Sequence, residues 1–141
     1  MKPLNRTLVD VVERESGANP PDAAESNPAQ TFDRAELMDR LGGDAELLTE
    51  VIHLFLEDCP QRLADIKSAV DLRDPELIRS TAHALKGAAG TLAAHGVFEA
   101  AHALEQMGAV AQLEPIEAAW MKLSKETASL LETFRQIEAA A

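Results

Sequence analysis

Seven residues near the C-terminus, Ile116, Trp120, Leu123, Thr127, Leu130, Phe134 and Ile137, recur at alternating intervals of four and three. At 3.6 residues per turn this spacing lays all of them along one stripe, so the segment predicts a long helix with one apolar face. A lone helix cannot cover its own stripe, and the remaining chain has to supply partners. Composition says what kind: alanine, leucine and glutamate dominate while Val, Ile and Thr are sparse, which favours helices over strands. With 141 residues, 46% of them hydrophobic, the chain can build one core of ordinary size and carry a tail.

Residues 31–141 divide into helices with clear start and stop signals. Asp33 followed by Glu36 resembles a capping box, and Gly42-Gly43 closes a short first helix. Asp44 opens a helix running to about Asp58, with Leu47, Leu48, Val51, Ile52 and Phe55 on its buried side. Pro60 suits the first turn of a new helix carrying Leu63, Ile66 and Val70. Asp74-Pro75 repeats the pattern of cap and first-turn proline, starting a helix expected to reach Ala94. Gly96 breaks it, and Val97, Phe98, Ala101 and Leu104 mark a shorter helix ending near Gly108. Short connections favour antiparallel neighbours. The expected fold is therefore all-α, an antiparallel four-helix bundle with an additional short N-terminal helix.

Residues 16–30, SGANPPDAAESNPAQ, hold three prolines and no Val, Ile, Leu, Met or aromatic residue, and read as a flexible linker. Before it, Leu4, Leu8, Val11 and Val12 suggest one amphipathic helix over residues 1–15, without a partner of its own.

The helix opened by Pro75 contains the segment AHALKGAAGTL, with glycines at 87 and 90. Each interior glycine costs roughly 0.5–1 kcal/mol relative to alanine, so a bare surface must serve a purpose. On a helical projection Leu77, Thr81, Leu85, Ala88 and Leu92 point to the core, whereas His83 lies about 160° from Leu85. Arg79, Ser80, Lys86, Gly87 and Gly90 share the histidine's face. Glu76 is the one acidic residue between Pro75 and Phe98. The body at 31–141 has ten Lys and Arg against nineteen Asp and Glu, so this stripe reads as a basic island on an acidic domain.

An exposed imidazole, with an ordinary pKa of about 6.5, keeps a lone pair at neutral pH and can attack phosphorus without a separate base. A lysine one turn away can steady phosphoryl oxygens. No Gly-rich nucleotide loop of the G-x-x-x-x-G-K-[ST] type is present, so other domains would have to provide and receive the group. A net charge of −11 argues against nucleic acid, and no apolar run approaches the roughly 20 residues of a membrane span. The single cysteine, Cys59, excludes an internal disulfide and fits a cytoplasmic setting.

Taken with its flanks, LGGDAELLTEVIHLFLEDCPQRL upstream and FEAAHALEQMG downstream, the run Ala82-His83-x-Leu85-Lys86-Gly87 resembles a histidine-containing phosphotransfer (HPt) domain of bacterial multistep phosphorelays. The resemblance implies that His83 is the phosphoacceptor, that Lys86 stabilises the phosphoryl group, and that Gly87 admits the partner. Gly90, Arg79 and Ser80 complete the expected docking face, with packing against the neighbouring helix as an equal alternative for Gly90. It further implies a monomeric phosphoryl carrier that is not itself an enzyme. Its partners would be aspartate-bearing receiver domains, in the same chain or in separate proteins, and the receiver would contribute Mg²⁺. Lys2-Pro3-Leu4 ahead of an amphipathic helix resembles the end of a receiver, which would make the chain the C-terminal part of a hybrid sensor kinase; the alternative for residues 1–15 is an unstructured leader.

Two other readings compete. The basic stripe could dock an acidic partner without phosphorylation, or the histidines could hold a metal. His95 and His102 straddle the expected break at Gly96 and no H-x-x-x-H pair supports them, so a structural role is expected for both, and for His53. Cys59 has neither a histidine partner nor a redox motif and is not expected to be catalytic.

Overall fold

The computed structural model describes residues 32–140, so the expected helix over 1–15 and the linker over 16–30 lie outside the described residues. Five helices follow in order: α1 (Arg34–Arg40), α2 (Ala45–Leu72), α3 (Pro75–Thr91), α4 (His95–Val110) and α5 (Ile116–Ala140). No strand occurs among the described residues. Helices α2 to α5 pack in a ring, each against the next, with α5 returning to α2. This is the four-helix bundle that the apolar spacings require, with α1 as the added short helix.

The aspartate caps form as the sequence predicts. Asp33, Asp44 and Asp74 accept the backbone N–H of Glu36, Leu47 and Leu77 at 2.9, 3.1 and 3.2 Å. Glu36 does not close the capping box, because its carboxylate is taken by Arg40 and by His95. Gly42 and Gly43 have φ of +69° and +78°, a left-handed turn that reserves both positions for glycine.

Pro60 does not divide two helices; it lies inside the 28-residue α2. Proline there removes a hydrogen bond at a cost of about 3 kcal/mol. The buried line through Leu48, Ile52, Phe55, Cys59, Ile66, Ala69 and Val70 runs unbroken past it, and this continuous burial offsets the loss. Burial also pushes the Cys59 thiol up to about 11, so it stays protonated at neutral pH.

The break expected at Gly96 falls earlier. α3 stops at Thr91, Ala93 adopts φ of 57°, and Gly96 belongs to α4. The N–H groups of Ala93 and Ala94 close on the carbonyls of Gly90 and Ala89, while the Ala93 carbonyl accepts Asp33 N–H at 3.0 Å. Arg40 adds hydrogen bonds to the Gly90 and Thr91 carbonyls at 2.7 and 3.1 Å, so α1 binds the end of α3. α4 likewise continues beyond Gly108 to Val110.

The core face of α3 is rotated from the expected one. Ile78, Ala82, Leu85 and Ala89 are buried, while Leu77 is exposed and Thr81 and Ala88 are half-buried. α3 is covered on two sides, and its α4 side is lined by small residues that carry little hydrophobic signal. A Cβ on Gly108 would stand 2.6 Å from the Pro75 carbonyl oxygen and 2.8 Å from Arg79 N. The two backbones therefore run in direct contact.

At the other side of the bundle, α2 and α5 are joined by His53, whose Nδ1 lies 2.6 Å from Glu138 Oε2 and whose Nε2 lies 3.1 Å from Glu57. The bond to Glu138, then the charge of Glu57, holds the imidazole pKa above its ordinary value. A raised folded-state pKa contributes stability below the unfolded pKa of about 6.5, and loses it as pH rises through the folded value. Urea unfolding of the native protein and Glu138→Gln at about pH 5.5 and about pH 8 should show a smaller pH difference in the variant. Equal differences would remove the clamp from the pH balance.

Candidate functional site

α3 and α4 run antiparallel with a register fixed by Arg79 beside Gly108, His83 beside Glu105 and Gly90 beside Phe98. This register carries the chemistry. Leu85 is fully buried, which turns the opposite side of α3 outward and leaves the His83 side chain 63% exposed. One ring nitrogen is nevertheless held: His83 Nδ1 lies 2.9 Å from Glu105 Oε2. An ionised carboxylate can only accept, so Nδ1 carries the proton and, in the neutral ring, Nε2 keeps its lone pair toward solvent.

Glu105 was not legible as a site residue, yet it organises the group. Its other oxygen, Oε1, is 2.7 Å from Lys86 Nζ, and the Glu105 side chain is only 12% exposed. Contact with Lys86, then with His83, outweighs burial and holds its carboxyl below the usual carboxylate range. The H-x-x-E spacing of His102 and Glu105 was visible in the sequence. Only the α3–α4 register shows that it faces His83 and Lys86.

Phe98 forms the floor of this cluster. Its ring stacks on His102 with centroids 6.4 Å apart and planes 13° apart, and Lys86 Nζ stands 5.8 Å from its centroid. A Cβ at Gly90 would approach the Phe98 ring to 3.3 Å, so this glycine makes room for the aromatic ring. Gly87 differs: nothing lies within 4 Å of the position its Cβ would take, and the surface above His83 is open.

The basic island is locally neutralised. Arg79 forms an ion pair with Glu76, and Lys86 and His83 share Glu105. Ser80 is exposed with its hydroxyl donating to the Leu77 carbonyl at 3.2 Å. Next to Gly87, Ala88 borders a shallow groove lined by Val51, Leu54, Phe55, Asp58 and Arg62 of α2 and by Thr91 at the end of α3.

His95 stands apart from this site. Its Nε2 is 2.9 Å from Glu36 Oε1, tying the start of α4 to α1, and Asp33 lies in the same cluster. Glu36 is also engaged by Arg40, and Asp33 caps α1. No helix among the described residues is long and apolar enough to cross a membrane.

The described residues thus form a four-helix bundle that carries His83 on the outer face of α3, with Glu105 and Lys86 against it. The sequence profile of the Hpt domain matches residues 50–140, and the chain belongs to that family, whose function is histidine phosphotransfer in phosphorelays. Its fold is similar to the crystal structure of histidine-containing phosphotransfer protein B (HptB) from Pseudomonas aeruginosa PAO1, with a TM-score of 0.75. Sequence identity to that protein is 21%, over 80% of this chain and 98% of that one. Comparison with curated protein sequences finds no match.

Proposed function

We propose that this protein accepts a phosphoryl group on His83 from the aspartate of a receiver domain and passes it to another receiver. The observation that carries the reading is the His83–Glu105 hydrogen bond, which leaves Nε2 as the free nucleophilic nitrogen on an exposed ring. In the transfer the Nε2 lone pair forms the N–P bond. The P–O bond of the aspartyl phosphate breaks, and its electron pair leaves with the aspartate carboxylate. Nδ1 keeps its proton, so the ring becomes cationic, and the Glu105 carboxylate offsets that charge. Lys86 is close enough to turn to the phosphoryl oxygens.

The chain acts as a carrier without a nucleotide site of its own, and the receiver brings Mg²⁺. Glu105 Oε2 is engaged by His83 and Oε1 by Lys86, which leaves this cluster poorly suited to hold the ion itself. Gly87 provides the step over which the receiver approaches, with Ser80, Arg79 and Gly90 around it. The groove from Ala88 to Leu54 offers it an apolar contact; Leu54 is 55% exposed. We assign the domain to the cytoplasm as a monomer, in line with soluble receiver partners.

Incubation with a phosphorylated receiver should give an acid-labile, alkali-stable phosphate that maps to the peptide containing His83. A label on any other residue overturns the assignment. Gly87→Trp should keep the thermal midpoint, because the site is open, yet slow transfer by about tenfold or more, equivalent to about 1.4 kcal/mol of lost encounter or barrier free energy. Unchanged transfer in that variant would place docking elsewhere.

A further inference from the structure

The carboxylate of Glu105 has one more neighbour than it serves. His102 Nδ1 is buried without a hydrogen-bond partner, and it lies 3.9 Å from Glu105 Oε1, which forms an ion pair with Lys86 at 2.7 Å and likewise has no hydrogen bond. The His102 ring lies nearly parallel to that of Phe98, while the side chain as a whole is 45% exposed. The ring can therefore exchange a proton with water while its inner nitrogen stays beside the carboxylate. The ionisable groups beside His102 are Glu105 and, one turn back on its own helix, Glu99; across from α3, Lys86 and His83 reach it through the carboxylate of Glu105 that they share. Among the described residues no group of α5 forms an ion pair with it.

As it stands, the negative charge of Glu105 is matched by Lys86, and protonation of His102 would add a second cation beside a carboxylate already paired. A phosphoryl group on His83 changes the balance. Its two negative charges compete for Lys86, and a carboxylate left largely buried without its cation is costly. His102 is the residue placed to replace the lysine.

Building on the phosphoacceptor role of His83, we infer that His102 is a proton-linked positioning residue. When Lys86 swings from Glu105 to the phosphoryl group, His102 takes up a proton from solvent and donates Nδ1–H to Glu105 Oε1. Glu105 thereby stays ionised and keeps hold of His83 Nδ1 in both phosphorylation states. No bond other than N–H forms at His102, and the proton comes from water. Loading the carrier is thus coupled to the uptake of one proton at a histidine that does not itself carry phosphate.

The test is a pH titration of His102 by imidazole nitrogen NMR, its signal assigned with His102→Gln. In Lys86→Met, which removes the competing cation without phosphorylation, the His102 pKa should rise by about one unit, a tenfold change in proton affinity. Adding Glu105→Gln to that variant should abolish the rise. Treating the native protein with phosphoramidate should give phosphorylated His83 and a similar rise at His102. No rise in Lys86→Met overturns the inference, whatever happens at His83. Phosphorylation of His83 without a change at His102 overturns it too. If Lys86→Met shows the rise but His83 takes no phosphate from phosphoramidate or a receiver, the carrier reading fails and the linkage to phosphorylation falls with it.

Discussion

His83→Gln is expected to abolish phosphotransfer while leaving the bundle folded. Glutamine keeps a polar side chain able to donate to Glu105, but its amide nitrogen has no free lone pair, so attack on phosphorus has no nucleophile. The expected loss is at least about a thousandfold, corresponding to about 4 kcal/mol in the barrier. The fold has little at stake, because the histidine is 63% exposed and its one direct partner is a carboxylate that Lys86 also holds. Labelling from a phosphorylated receiver and a thermal melt, run on the same preparation, read the two properties separately. A variant that labels within about tenfold of the native rate would mean that another residue receives the phosphoryl group. Loss of both labelling and the melting transition would show that His83 is structural.

The second large effect concerns stability and sets two glycines against each other. A Cβ on Gly108 would meet backbone atoms of α3, Pro75 O at 2.6 Å and Arg79 N at 2.8 Å, and backbone cannot turn aside as a side chain can. Gly108→Ala must push α3 and α4 apart. Overpacking of this kind costs about 1–3 kcal/mol, which for a bundle of this size lowers the melting temperature by about 4–20 °C. Gly87→Ala meets nothing within 4 Å and should instead raise stability by about 0.5–1 kcal/mol, the ordinary helix preference for alanine. Thermal melts of the two variants should move in opposite directions. A Gly108→Ala protein as stable as the native one would show that the α3–α4 contact is looser than its geometry implies. Because Glu105 lies less than one turn from Gly108, the same variant should also disturb the His83–Glu105 bond.

Much of the fold was legible because its strongest signals are local. The interval pattern from Ile116 to Ile137 appears as α5, with Leu123, Thr127, Leu130 and Phe134 buried. Asp33, Asp44 and Asp74 mark three helix starts, since a short acceptor before a helix satisfies the same orphan N–H groups in any context. Helix ends were harder to read. α2, α3 and α4 turn through left-handed residues at Arg73, Ala93 and Ala111, positions where glycine would have been the visible signal. Buried packing and the contact from Asp33 offset the strain at Ala93. Pro60 misled in the opposite sense, because a proline predicts a boundary only where long-range burial does not favour continuation.

The sequence by itself determined that the chain is helical, that Leu85 faces inward and that His83 faces outward, since the angle between neighbouring residues on a helix is fixed by the backbone. It also placed Lys86 and Gly87 one turn above the histidine. Only the tertiary structure decided what surrounds that histidine. Glu105, His102 and Phe98 come from another helix, and their meeting with His83, Lys86 and Gly90 depends on the register of α3 against α4. The two backbones can lie as close as they do only because Gly108 has no Cβ, a contact that no local pattern in the sequence records.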